Sequence, residues 1–318
     1  MYERASRKSS IQTQCLHSGA MKPYLNILVG INYTDASRHA LREAKRIADE
    51  NGAKITACHV VPLGEINEFV NFYMIEHKIM INAAKSSLEG FIEEVCGRNH
   101  DIVCQISEGI PHHELVSKAN EEGHDLLVLG DDDYADDSRK AGQFAIKCLR
   151  FATMPVLLVN RPPVNTRSLV AACIDFSKST SPVLENAALL ISGEDARLQI
   201  IHASRPPWLH PFRLRYQKIF PEDHGQQEQY REILEGQLLN VRNMASSFYH
   251  GEIESIRLES EDPAESLLNH FQTTGCTLVV IGRSGKGVKG LVSDLLGGTA
   301  AEVIRHAECP ILIVPVKN

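Results

Sequence analysis

The chain repeats itself, and that duplication limits the fold more than any other feature. Asn32 matches Asp175 and His59 matches His202 at an offset of 143 residues, while Gly130 matches Gly282 at 152 and Pro155 matches Pro310 at 155. The second copy therefore holds nine extra residues before its glycine-rich segment and three more within it. In the first copy, Asn26 to Asn32, Lys54 to Val61, Asp101 to Ile106, Asp125 to Gly130 and Pro155 to Val159 read as strands. The first of these is apolar and short. Between the first two, Ala40, Leu41, Ala44, Ile47 and Ala48 recur at helical spacing, and Gly52 stops the helix. A long, mostly helical segment spans 66–96, and Pro111 opens another helix at its first turn. Such alternation predicts an α/β protein with two tandem open parallel five-stranded sheets flanked by helices. The insert of the second copy falls around Ser204 to Pro211 and a helical stretch reaching Phe248. Trp208, within it, could lie over a pocket or cover the core.

One stretch of the second copy carries the strongest chemical signal. Leu278 to Ile281 reads as a buried strand, Gly282, Gly285, Gly287 and Gly290 follow, and Gly297, Gly298 and Thr299 stand where a helix carrying Ala300 to Ala307 begins. Glycines let backbone amides approach a ligand, and a helix start adds unpaired N–H groups and a positive dipole end, which together suit a phosphate. The stretch is neither a Walker loop nor the dinucleotide fingerprint. In open α/β sheets ligands sit outside the carboxyl ends of the strands at the switch point.

The formal charge of −7 argues against a nucleic-acid binder driven by counterion release. No apolar run approaches the ~18–20 residues of a membrane span. Eight cysteines are scattered without a Cys-x-x-Cys pair or zinc spacing, which fits packed thiols and a reducing cytoplasm. Residues 1–22 lack the apolar core of a secretion signal and read as a flexible tail; Met21 offers an alternative start. The expected organisation is a first domain over 23–160, a proline-containing linker over 161–167 and a second domain over 168–318.

The stretch from Leu278 to Val314 resembles the last third of the universal stress protein domain, and the resemblance extends over both copies. Nucleotide-binding members carry Gly, two residues, Gly, nine residues, then Gly-Ser/Thr. Gly282 and Gly285 match the first half; eleven residues then separate Gly285 from Gly297, or twelve from Gly298-Thr299. The resemblance implies a Rossmann-like, adenine nucleotide alpha hydrolase-like fold of strand order 3-2-1-4-5. It further implies pairing of the two domains as in a dimer, through fifth strands near Val156–Val159 and Ile311–Val314, with homodimers of tandem chains as a further assembly. By residue-level match, Ile174, Asp175 and Ala203 would line the adenine and ribose. Gly282, Ser284 and Gly285 would approach ribose and phosphates, and Gly297, Gly298 and Thr299 would cap the phosphate tail. The ligand would be ATP or another adenine nucleotide, with or without Mg.

The copies differ where that ligand would sit. The first has Asn32 in place of Asp175, and Asp131, Asp132, Asp133, Asp136 and Asp137 after Gly130, where the second has Arg283, Lys286 and Lys289. Close like charges would repel a triphosphate. A cation site at these aspartates or at His112-His113 competes with a solvated acidic loop and an ordinary helix start. For His202 a packed, hydrogen-bonded role is set against catalysis. Three functions follow: a stress-response regulatory protein holding an adenine nucleotide in its second copy and read by a protein partner, a slow ATPase, or a ligand-free interaction module. The second has no convincing general base to support it.

Overall fold

The computed structural model describes residues 22–62, 70–130, 143–164, 166–193, 195–209, 224–283 and 297–316. Among them the first copy supplies β1 (Asn26–Gly30), α1 (Asp35–Asn51), β2 (Lys54–Val61), α2 (Val70–Cys96), β3 (Val103–Glu108), α3 (Pro111–Glu121), β4 (Leu126–Gly130), α4 (Gln143–Phe151) and β5 (Val156–Val159). The second supplies β6 (Leu169–Cys173), α5 (Thr180–Leu190), β7 (Arg197–Ser204), a 3-10 turn (Pro207–Leu209), α6 (His224–Ala245), β8 (Glu252–Glu259), α7 (Pro263–Thr274), β9 (Leu278–Arg283), α8 (Gly298–His306) and β10 (Ile311–Pro315).

Local signals explain the helix ends. The Thr34 hydroxyl accepts from Ser37 N to open α1, and Gly52, at φ 70°, closes it with its amide on Ala48 O. Asp262 accepts from Ala264 N and Glu265 N ahead of Pro263 to open α7, which Gly275 closes at φ 68°. The same left-handed position that glycine tolerates thus ends a helix in each copy.

The strands form one sheet in the order β3-β2-β1-β4-β5-β10-β9-β6-β7-β8, so each copy has the expected 3-2-1-4-5. Neighbours within a copy are parallel, and the two five-stranded halves fuse through an antiparallel pairing of β5 with β10, Leu157 facing Leu312. Alternation along the strands sends Ile27, Val29, Val170 and Ala172 to a layer with α1, α2, α5 and α6. Leu28, Ala171, Val279 and Ile311 face the opposite layer with α3, α4, α7 and α8. The central strands are buried on both faces, which accounts for their unbroken aliphatic runs.

Polar bonds stitch the seam between copies. Arg167 pairs with Glu43 of α1, the two side chains being 1% and 2% exposed, and the Tyr24 hydroxyl donates to Asn186 of α5. Asn160 Nδ2 donates to Ala307 O at 2.7 Å. Arg283, expected beside the phosphates, instead turns to this seam and donates to the Leu149 carbonyl. Burial lowers its pKa. Trp208 packs edge-on against Tyr230 of α6, with Arg231 over its ring at 5.4 Å, so it covers that helix.

Candidate functional site at the carboxyl ends of β6, β7 and β9

The switch point of the second copy lies between β6 and β9. The chain continues past β6 with Ile174 N donating to Ile201 O at 2.9 Å, and the Ile174 side chain is buried in the core. What Ile174 can offer a ligand is therefore backbone. Asp175 follows, exposed, its Oδ1 accepting from Ser177 N at 3.0 Å and Ser179 Oγ at 3.3 Å. Ser177 Oγ lies 2.8 Å from Ser179 Oγ, so one amide and one hydroxyl hold Oδ1 and the second hydroxyl braces the first. Among the described residues no group bonds Oδ2, which leaves that oxygen for an incoming donor such as a hydroxyl.

Phe176 adopts φ 55°, a left-handed turn residue, and its ring meets His202 at 4.5 Å. His202 Nδ1 lies 3.0 Å from Ile174 O. A carbonyl can only accept, so Nδ1 carries the proton and Nε2 is left as the acceptor of the neutral ring. This is the packed, hydrogen-bonded role expected for His202. Ala203 stands half-buried near the end of β7, beside the packed layer that holds Ile201.

Gly282 lies in β9 one position past the pairing of Cys173 with Ile281. A Cβ there would come within 2.5 Å of Ser179 Cβ, so this glycine lets the end of β9 close onto the start of α5. Ile174, Asp175, Ser179 and Gly282 are thereby gathered at one point, with Ala203 on the strand beyond. Gly297, at φ 67°, precedes α8 without a side-chain cap, and Gly298 and Thr299 form its first turn. The first helical bond there runs from Ala301 N to Gly297 O at 3.1 Å, so the preceding amides have no partner within the helix. Ser284 and Gly285 lie outside the described residues, as do Lys286, Lys289 and the acidic segment 131–137.

The first copy repeats the turn with different chemistry. Asn32 Oδ1 accepts from Thr34 Oγ1 at 2.6 Å, Tyr33 at φ 66° meets the His59 ring at 4.6 Å, and His59 Nδ1 lies 2.8 Å from Ile31 O. Asn32 thus puts a neutral amide where the second copy has the Asp175 carboxylate. At the start of α3, His113 Nδ1 is 3.1 Å from Glu114 Oε1, and burial is the main cause of a lowered His112 pKa. Among the described residues no three His, Cys, Asp or Glu side chains come together as a metal site. Sequence reasoning missed the serines around Asp175, although Asp-x-Ser-x-Ser after a strand is the signature of an Asx turn.

This doubled fold, with an aspartate and a glycine at the switch point of its second copy, defines a tandem open-sheet α/β protein. The profile of the Universal stress protein family matches residues 23–160 and again 168–315, and the chain belongs to that family. Universal stress protein YxiE of Bacillus subtilis is 28% identical over 142 residues, which is 44% of this chain and 94% of that protein. Among solved structures, a universal stress protein from Archaeoglobus fulgidus superposes with a TM-score of 0.61 at 17% identity, over 92% of this chain and 97% of the other. A putative universal stress protein from Pseudomonas aeruginosa gives 0.58 at 18% identity, over 92% and 93%. These two share the two-copy fold. No described helix is long and apolar enough to cross a membrane.

Proposed function

We propose that the chain is a cytoplasmic stress-response regulator that binds an adenine nucleotide, ATP first among them, in its carboxy-terminal copy. The observation that carries this reading is Asp175: a carboxylate at the switch point, held at Oδ1 by Ser177 and Ser179, with Oδ2 bonded by no group among the described residues. In this reading Oδ2 accepts from a ribose hydroxyl, while the backbone around Ile174 and Ala203 borders the adenine. Gly282 lets the end of β9 close onto the start of α5, Ser284 and Gly285 approach the ribose and phosphates, and the amides of Gly297, Gly298 and Thr299 receive the phosphate tail, with Mg as an accompanying cation. A protein partner reads the bound state.

Isothermal titration with ATP, AMP and GTP tests this. The expected result is saturable binding of ATP, weaker binding of GTP, and a loss of about ten- to a hundredfold in affinity for Asp175→Ala, the worth of a hydrogen bond to a charged group. No heat with any nucleotide at millimolar concentration would remove the proposal.

A further inference from the structure

A cavity of about 320 Å³ lies beneath the linker, away from the switch point. Its walls include Arg161 and Val164 of the linker and, from the strand entrances, Cys276, Thr277, Cys309 and Pro310. β9 and β10 are parallel with Val279 opposite Ile311, and Val279 N donates to Pro310 O at 3.0 Å. Cys276 and Cys309 therefore stand at the starts of adjacent strands. Both side chains line the cavity and belong to one packed cluster, the Cys276 thiol donating to Leu278 O at 3.1 Å, and the two residues are 4% and 3% exposed. At the matching places the first copy has His124 and Met154, so the pair belongs to the second copy alone.

The two sulfurs are not equivalent. The neighbouring Cys276 side chain, and after it the Arg161 guanidinium, draw the Cys309 thiol below its usual range against the opposing effect of burial. The neighbouring Cys309 side chain, with burial, pushes Cys276 up. Cys148, buried, is pushed up to about 12. Thiolate character governs oxidation, so the pair combines a nucleophile with a resolving thiol.

We propose that Cys276 and Cys309 form a dithiol that hydrogen peroxide entering the linker cavity converts to an intramolecular disulfide. The Cys309 thiolate attacks one peroxide oxygen, the O–O bond breaks, and hydroxide leaves. Sulfur is thereby oxidised to sulfenic acid as the peroxide is reduced. Cys276 sulfur then displaces the sulfenic hydroxyl, which departs as water with the Cys276 proton. The new bond ties the entrance of β9 to the entrance of β10, the strand that joins the two copies.

Peroxide treatment of the full chain, followed by alkylation and peptide mapping by mass spectrometry, is the test. The expected product is a Cys276–Cys309 cross-linked peptide that dithiothreitol abolishes, with Cys309 losing alkylation about tenfold faster than Cys148. In Cys276→Ser, oxidation should stop at a Cys309 sulfenic acid captured by dimedone. In Cys309→Ser, Cys276 should remain alkylatable at the same dose. The oxidised wild type should melt at a higher temperature than the reduced protein. Both thiols staying alkylatable, either one pairing with a different cysteine, or Cys276 being oxidised first would overturn the proposal. The wild-type map decides alone if a variant fails to fold.

Discussion

Two crossings of the seam show how far the copies have diverged while keeping one geometry. The 143-residue offset relates Tyr24 to Arg167 and Glu43 to Asn186. In each case the residue just before a copy's first strand reaches the first helix of the other copy: Arg167 to Glu43, Tyr24 to Asn186. One crossing is an ion pair and its mate is neutral. Glu43 also binds Arg46 at 2.7 Å, so it serves two guanidinium groups at once. Duplication preserved the contact as a position, and each end then found its own chemistry.

The charged crossing should be the more fragile. Arg167→Met leaves Glu43 buried with only Arg46, and removing one member of a buried pair costs ~3–5 kcal/mol. Urea denaturation of single and double variants checks this, and Glu43→Leu combined with Arg167→Met should recover part of the loss. Equal, small effects at both crossings would erase the distinction.

The strand-end glycines offer a second contrast. A Cβ on Gly130 would come within 2.4 Å of the Ala36 backbone, whereas one on Gly282 would meet the Ser179 side chain. Gly130→Ala should cost about 3 kcal/mol and Gly282→Ala about 1–2, as overpacking does. Ser179→Gly should rescue only the latter. Thermal melts of the three variants and the double mutant would show it.

Tyr24→Phe, at the neutral crossing, should cost about 1–2 kcal/mol by leaving the Asn186 carbonyl without its donor. The smallest effect is one of pH. Burial pushes the Glu43 carboxyl up, but the charge of Arg167 and the bonds from Arg46 outweigh it and hold its pKa below the usual range. The stability that this provides is present above the unfolded carboxylate pKa of about 4.3 and is lost as pH falls through the lower folded value. Burial raises the Tyr24 pKa, so its hydroxyl stays neutral through that range. Urea midpoints should fall between pH 5 and 3, and fall less for Glu43→Gln than for the wild type. A parallel fall in both would assign the acid sensitivity to other carboxylates.

Much of the fold was legible in the sequence. Lys54–Val61 is a strand to the residue, because Ile55, Thr56, Val60 and Val61 favour extended backbone on either side of Cys58 and His59 and Pro62 follows. The strand order and the joining fifth strands came from the family resemblance and agree with the sheet. Arg167 was not legible. An arginine at the end of a proline-containing linker reads as solvated, since arginine is rarely buried without a partner. Its partner lies 124 residues away in a helix of the other copy. Arg283 misled for the same reason, being taken for its charge when its acceptor is a carbonyl across the seam. At the candidate site, Asp175 and Gly282 were legible as a pair. The burial of Ile174 was not, because an apolar residue at a strand end can turn either way.

The comparison of the copies rests most heavily on where a nucleotide binds. Equilibrium dialysis of ATP against the wild type, Asp175→Ala and Asn32→Ala measures stoichiometry and position together. One nucleotide per chain, lost in Asp175→Ala and retained in Asn32→Ala, is the predicted result. Two per chain, or one that survives Asp175→Ala and disappears in Asn32→Ala, would contradict the account.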